Sequence, residues 1–164
     1  MDWTIGDVLV DRDNVDGFDL YIVNPAQRRM ADTDIAFDQE LLRSRGLVQL
    51  SLPLDDAKVA LRAVKACGAN AYLIPVLYRH PAVSIQEARS IAARRYSEMT
   101  GAGKSLGILG DGFDDFLWWT FCADDIEAIE SDLIPGRICI AVDKLDGHIR
   151  CPDEFDKWLR LSAS

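Results

Sequence analysis

The chain has 164 residues, of which 49% are hydrophobic and 27% are charged. These values are typical of a folded domain of this size, and they exclude an intrinsically disordered, collagen-like or low-complexity protein. The formal net charge is −9, which argues against nucleic acid and anionic membranes as partners, because both need a basic protein face.

The cysteine pattern and the N-terminus predict a cytoplasmic protein. Four cysteines are too few for a disulfide-stapled fold, and no two of them form a Cys-x-x-Cys pair. The N-terminal segment lacks a basic stretch followed by a long apolar run, so no secretory signal is expected. No apolar stretch reaches the ~18–20 residues of a membrane span. We therefore expect four free thiols, at Cys67, Cys122, Cys139 and Cys151.

Residues 1–80 form the first predicted region, in which short strands alternate with helices. The unit from Leu47 to Tyr78 reads as strand, helix and strand, which allows a right-handed crossover to a parallel neighbour. Pro75 lacks a backbone donor, so its strand is expected to be bulged or at a sheet edge. The predicted strands are 8–10, 20–23, 47–50 and 71–78. The predicted helices are 33–43 and about 55–68, and the apolar stripe of the second helix consists of Val59, Leu61 and Val64.

Residues 81–164 form the second predicted region, a helix followed by an antiparallel meander and a last helix. Ser84 and Glu87 form a capping box that begins the first of these helices. Together the two regions predict an α+β fold, in which helices pack on a mixed or antiparallel twisted sheet as one compact unit. The predicted strands are 105–109, 116–122, 137–142 and 148–150, and the apolar positions of the first helix are Ile85, Ala88, Ile91, Ala92 and Met99.

Three stretches resemble chemical motifs without satisfying them. The glycine-rich stretch 100–105 has Glu98 where a phosphate loop requires glycine, and it joins a helix to a strand rather than the reverse. The acidic turn 11–17 does not fit the ligand spacing of an EF-hand. His148 and Cys151 lack the second ligand pair of a zinc site. The sequence therefore predicts no catalytic residue, no metal and no cofactor.

The strand at 116–122 has two different faces, because side chains alternate along a strand. Trp119 and Phe121 share one face, while Trp118 and Thr120 share the other. One face is expected to pack on the 84–100 helix, and the Trp118 face is expected to meet solvent or a partner. The alternative is that the last helix covers the Trp118 face.

Acidic residues are concentrated beside this strand, with eight of them and no basic residue between Lys104 and Arg137. Such a segment is either a solvated surface that favours solubility or a patch that steers a basic partner. With Trp118 as an apolar anchor, the segment is the predicted partner-binding site. Its residues are Asp111, Asp114, Asp115, Trp118, Asp124, Asp125, Glu127, Glu130 and Asp132.

Several motifs occur in a characteristic order between residues 84 and 149. The helix SIQEARSIAARRYSEM precedes a strand with Trp119-Thr120-Phe121, and a later strand closes as Val142-Asp143-Lys144 shortly before Gly147. In this order they resemble small bacterial toxin-immunity proteins, closest to the immunity protein 35 family. The resemblance implies an interaction protein that neutralises a cognate toxin and has no catalytic residues. The first 80 residues fall outside it.

Two functions from different classes follow. The first is an immunity protein that blocks the active or binding surface of a toxin, and the acidity suits a basic toxin such as a nuclease. The second is a small enzyme or ligand-binding domain with a carboxylate-lined pocket. In that case the aspartates of 111–115 would converge in a cleft with strongly shifted pKa values.

Overall fold

The computed structural model of the chain describes residues 17–25, 44–100, 110–124 and 137–163. The predicted elements at 8–10, 33–43 and 105–109 lie outside these ranges. The described residues confirm the α+β class, with two three-stranded antiparallel sheets and three α-helices. The strands are β1 (Phe18–Asn24), β2 (Gly46–Leu52), β3 (Asn70–Pro75), β4 (Phe113–Asp115), β5 (Trp118–Asp124) and β6 (Arg137–Asp143), and the helices are α1 (Leu54–Ala66), α2 (Ile85–Thr100) and α3 (Pro152–Ala163).

The chain divides into two compact units. The first contains the described residues up to Arg79 together with α3, and the second contains those from His80 to Cys151. The last helix therefore belongs with the N-terminal elements, and its predicted place in the second region, residues 81–164, is wrong. Within the described part of the chain, no helix combines the length and the apolar character needed to cross a membrane.

The sheet of the first unit has the strand order β2-β1-β3. Both outer strands run antiparallel to β1, so β2 and β3 are parallel but are not neighbours. The predicted crossover between adjacent parallel strands is therefore wrong, because β1 lies between them. Pro75 ends β3 at the sheet edge, as its missing donor predicts, and the chain continues as a short 3₁₀ helix, Val76–Arg79.

Helix α1 packs on this sheet through a narrower stripe than predicted. Leu61 and Val64 are buried against Leu20 and Leu73, but Val59 is 45% exposed. The buried positions of α1 are Ala57, Ala60, Leu61, Ala63 and Val64. Small alanines at the sheet-facing positions let the helix backbone approach the strands, and Val59 lies outside that stripe.

Helix α3 covers the outer edge of β3. The hydroxyl of Ser162 accepts the Leu73 N–H at 3.2 Å, and the indole Nε1–H of Trp158 donates to the Leu73 carbonyl at 2.9 Å. The Trp158 ring also stacks on Tyr72, with 5.0 Å between centroids. Two side chains of α3 thus replace the hydrogen bonds that a further strand would make, which protects an edge that could otherwise pair with another chain.

The buried carboxylate of Asp19 organises the part of the first sheet where β1 pairs with β2. Between Phe18 and Leu20 the pairing with β2 shifts, and Ser51 takes a positive φ of 51°. The carboxylate of Asp19, which is 0% exposed, accepts the backbone N–H groups of Leu50 at 2.8 Å and Ser51 at 3.1 Å. Arg79 donates to both carboxylate oxygens, at 2.7 and 2.6 Å. Asp19 therefore satisfies the donors that the irregular pairing releases.

The surroundings of Asp19 lower its pKa. Burial by itself raises the pKa of this carboxyl group, but the hydrogen bond from Arg79, the N–H groups of Ser51 and Leu50, and the charge of Arg79 together outweigh it. The native state therefore favours the ionised form more strongly than the unfolded chain does. This preference stabilises the fold above the unfolded pKa of about 3.9, and it is lost as the pH falls through the lower folded value.

We predict that Asp19→Asn reduces the free energy of unfolding at pH 7 by about 1.5–3 kcal/mol, because a charged hydrogen-bond acceptor is lost. Urea unfolding between pH 7 and pH 2.5 checks this, and the variant should lose less additional stability in acid than the parent does. Asp156→Asn is the control, since Asp156 is exposed and should change stability by less than about 0.5 kcal/mol. Parallel acid profiles for parent and Asp19→Asn would contradict the assignment.

The second unit consists of the β4-β5-β6 sheet with α2 on one face. The predicted capping box is confirmed, since the Glu87 carboxylate accepts the Ser84 N–H at 2.8 Å and the Ser84 hydroxyl accepts the Glu87 N–H at 3.3 Å. Ala88 and Ala92 of α2 pack on a core that includes Phe121. Met99 was predicted to be an inward apolar position, but it is 53% exposed near the end of the helix.

A disulfide joins Cys122 and Cys139, which contradicts the prediction of four free thiols. The two residues lie directly opposite each other on β5 and β6, with Cα atoms 4.1 Å apart. This distance is that of a non-hydrogen-bonded antiparallel pair, in which side chains are closest. Cys67 and Cys151 are not part of a disulfide. The prediction failed because it placed the two cysteines on separate strands without knowing that the strands pair in this register.

Candidate functional site on the β4 segment

The structure describes the side chains of four predicted partner-binding residues, Asp111, Asp114, Asp115 and Trp118. It places the three aspartates on or directly before β4. Asp124 is the last residue of β5, and its side chain is not among those that the structure describes. The other four predicted residues, Asp125, Glu127, Glu130 and Asp132, lie in the stretch that the structure leaves undescribed.

Trp118 is fully buried, so the prediction that it is a half-exposed anchor is wrong. Its exposed fraction is 0%, and Thr120 on the same face of β5 is only 7% exposed. The guanidinium carbon of Arg150 lies 5.0 Å from the centroid of the Trp118 ring. Trp118 and Thr120 are therefore covered, and Trp118 cannot provide a surface contact.

Among the described residues near this strand, the exposed aromatic side chain is instead that of Phe113, which the sequence analysis above does not name. Its side chain is 53% exposed, and it lies opposite Thr120 on the short strand β4. Asp111 before it and Asp114 after it are also exposed, with side-chain values of 108% and 67%. Asp114 lies opposite Trp119, so its side chain is on the other face of β4 from that of Phe113. We call these three side chains the β4 surface. The sequence signal that could have identified Phe113 is a single aromatic residue inside the short acidic run Asp-Gly-Phe-Asp-Asp, outside any apolar stripe.

Gly112 fixes the path of the chain through the β4 surface. Its φ is +84°, and a Cβ atom at this position would lie 2.7 Å from Cδ1 of Phe121. Only glycine combines this backbone conformation with so close an approach to a core ring. The contact holds the backbone between Asp111 and Phe113 against the sheet.

Basic residues from elsewhere in the chain pair with the acidic segment. Arg89 of α2 lies 3.7 Å from Asp111 and donates to the Gly110 carbonyl at 3.0 Å. Lys144, which follows β6 and is 4% exposed, forms an ion pair with Asp114. The prediction of uncompensated acidic charge is therefore wrong for Asp111 and Asp114, because it counted only bases that are close in sequence.

Lys144 connects the β4 surface to the rest of the second unit. Its ammonium donates to the Phe116 carbonyl at 3.0 Å and lies 4.6 Å from the centroid of the Trp119 ring. Its backbone N–H donates to the Leu117 carbonyl at 3.1 Å, and its own carbonyl accepts the Val83 N–H at 3.0 Å. Trp119 in turn donates from Nε1 to the Val83 carbonyl at 2.8 Å. These residues hold the β4–β5 turn and the chain before α2 together.

Asp115 is the described carboxyl group of this segment with a raised pKa. Burial raises the pKa, and the charge of Asp114 adds to the rise. The charges of Arg150 and Lys144 and a hydrogen bond from Thr120, at 3.5 Å, oppose it. Asp115, the carboxyl group with the raised pKa, thus lies close in sequence to the exposed carboxyl groups of Asp111 and Asp114. It interacts with Thr120 and Arg150.

The turn after β6 contains the one group of described residues that could hold a metal ion. Ligand atoms of Asp143, Asp146 and His148 all lie within 4.8 Å of one another. The carboxylates already accept backbone donors of the turn, from Leu145 to Asp143 at 2.7 Å and from His148 to Asp146 at 3.0 Å. Gly147 takes a φ of +78° and donates to the Asp143 carbonyl at 3.1 Å. Asp143 and Gly147 therefore set this turn.

Comparison with protein-family models, with curated proteins and with solved structures gave no match to this chain. The resemblance to the immunity protein 35 family therefore stays a hypothesis. What the structure adds is the arrangement of the residues that carry the resemblance, since Trp119 and Lys144 contact each other and support the segment that bears the β4 surface.

We predict that Lys144→Met lowers the free energy of unfolding by about 1.5–3 kcal/mol. Methionine retains most of the apolar stem, but it leaves the Phe116 carbonyl and Asp114 without the charged donor. Urea unfolding measures the effect. Lys157→Met, at an exposed position of α3, is the matched control and should stay within about 0.5 kcal/mol of the parent. Equal losses in the two variants would contradict the connecting role of Lys144.

Proposed function

We propose that the protein is an immunity protein that binds a cognate bacterial toxin in the cytoplasm and blocks its active or binding surface. We further propose that the toxin is basic and that the β4 surface contacts it. A nuclease is one such class of toxin, because an enzyme that binds a polyanion needs a basic face.

The observation that carries this proposal is the exposure of Phe113 on β4, the outer strand of the second sheet, with exposed carboxylates two residues before it and one residue after it. Protein interfaces commonly have an aromatic centre and a polar rim that remains accessible to water. Phe113 is 53% exposed, so a partner can still remove a large part of the ring from water. Asp111 and Asp114, which are exposed on the same short segment, add negative charge that attracts a basic surface.

The charge of the chain supports the same assignment. The net charge of −9 produces a field that accelerates encounter with a cationic protein. The Asp111–Arg89 pair is exposed on both sides and 3.7 Å long, and exposed pairs of this kind interact weakly. Asp111 can therefore exchange Arg89 for a basic residue of a partner at little cost.

The alternative of a small enzyme or ligand-binding domain requires carboxylates that converge. Asp115 has the raised pKa that such a site would need. However, the neighbouring carboxylates are directed to separate partners, Asp111 to Arg89 and Asp114 to Lys144. This divergence favours a binding surface over a carboxylate-lined pocket.

The test uses the product of the neighbouring gene, which the proposal expects to be the toxin, with binding kinetics measured at low and high salt. Phe113→Ala should weaken binding by at least ~2 kcal/mol, which is about a 30-fold rise in Kd, mainly through faster dissociation. Asp111→Asn should slow association at 0.1 M salt, and this effect should shrink at 1 M, where the Debye length falls from ~10 Å to ~3 Å. Asp114 is left intact because it pairs with Lys144.

Two variants of the same unit serve as matched controls. Met99→Ala removes an apolar side chain that is also 53% exposed, but that lies on α2. Glu98→Gln removes one carboxylate of another exposed pair, the one with Arg95 at 3.4 Å. If the controls weaken binding as much as Phe113→Ala and Asp111→Asn, the β4 surface is not the interface. If the neighbouring gene product does not bind the parent protein, the immunity function is wrong.

A further inference from the structure

The Cys122–Cys139 disulfide lies at the surface of the second unit. Cys139 is exposed and Cys122 is partly exposed. A disulfide is unusual in the reducing cytoplasm unless it is transient, catalytic or redox-sensing. The accessible position of this one allows a reductant in solution to reach it in the folded protein.

The disulfide is also close to the β4 surface through the backbone. The carbonyl of Cys122 accepts the N–H of Gly110 at 3.0 Å, on the side of β5 away from β6. Gly110 directly precedes Asp111, and its own carbonyl accepts a hydrogen bond from Arg89 at 3.0 Å. Gly110, which directly precedes the β4 surface, is thus hydrogen-bonded to Cys122 of the disulfide.

We propose that the Cys122–Cys139 disulfide is a reversible redox switch that rigidifies the β4 surface, an inference whose regulatory part rests on the proposed function. The disulfide ties the end of β5 to β6, so any local opening in which Cys122 moves away from Gly110 must also displace β6. Reduction removes this tie but leaves the strand pairing in place, because the two cysteines form a non-hydrogen-bonded pair. A surface that is ordered before binding binds more tightly.

The chemistry is thiol–disulfide exchange with a dithiol reductant of the thioredoxin class. A thiolate of the reductant attacks Sγ of Cys139, and Cys122 leaves as a thiolate that takes a proton from water. The second thiolate of the reductant then attacks the mixed disulfide, and Cys139 is released and protonated. Two electrons pass to the protein, and the reductant becomes a cyclic disulfide. Oxidised glutathione reverses the reaction and leaves as two molecules of reduced glutathione.

Reversibility is tested on the full chain without denaturant. Incubation with dithiothreitol, followed by alkylation under denaturing conditions, should raise the number of labelled cysteines from two to four. Removal of dithiothreitol and addition of oxidised glutathione should restore two, with an unchanged circular dichroism spectrum throughout. A disulfide that resists dithiothreitol until the protein unfolds would overturn the proposal.

Amide hydrogen exchange tests the mechanical link and needs no partner. In the reduced protein the Gly110 amide should exchange about tenfold faster. The Lys144 amide, which donates to Leu117 at the other end of the β5–β6 pairing, should be unchanged. The variant Cys122→Ser/Cys139→Ser should behave like the reduced parent, and Cys151→Ser like the oxidised parent. Equal Gly110 exchange in the oxidised and reduced parent would overturn the proposal.

The regulatory consequence is measured with the toxin, and it separates the two proposals. Reduction should raise the Kd for the toxin about tenfold. Equal affinity in both states overturns the switch and leaves the immunity function intact. No binding in either state, together with faster Gly110 exchange on reduction, overturns the immunity function and supports the effect of the disulfide on the segment.

Discussion

The Lys144 ammonium connects three parts of the second unit. It sits on the Trp119 ring, bonds the Phe116 carbonyl and pairs with Asp114. A lysine that is 4% exposed needs such partners, because an ammonium removed from water without them is strongly unfavourable. The same requirement fixes the β4–β5 turn and therefore the place where Phe113 emerges.

The first unit also contains a buried charged side chain that bonds backbone groups, but there the charge is negative. The shifted pairing of β1 with β2 frees the N–H groups of Leu50 and Ser51, and the buried carboxylate of Asp19 accepts both. Arg79 then neutralises the carboxylate. In each unit one buried charged side chain satisfies an irregular backbone segment. Such residues specify one arrangement strongly, because any alternative leaves a charge without its partners.

Sequence reasoning worked where the information is local. The Ser84–Glu87 capping box and the edge position of Pro75 depend on residues within one or two turns of chain, and both were predicted. The disulfide, the pairing of Asp111 with Arg89 and the burial of Trp118 depend on strand register and on residues 17 to 32 positions away. Periodicity alone could not supply these contacts. Val59 and Met99 were predicted to be buried but are exposed. Helical periodicity does not show how wide an apolar stripe is, because the width depends on the surface against which the helix packs.

The bonds from α3 to Leu73 also set an order in which the chain can fold. Ser162 and Leu73 are 89 residues apart, and the whole second unit lies between them. A ribosome therefore releases β3 long before the helix that covers its edge, and the second unit, which is a compact unit by itself, can form in the interval. The edge of the first sheet remains open to other chains during that time, so its closure is a late event in the maturation of this protein.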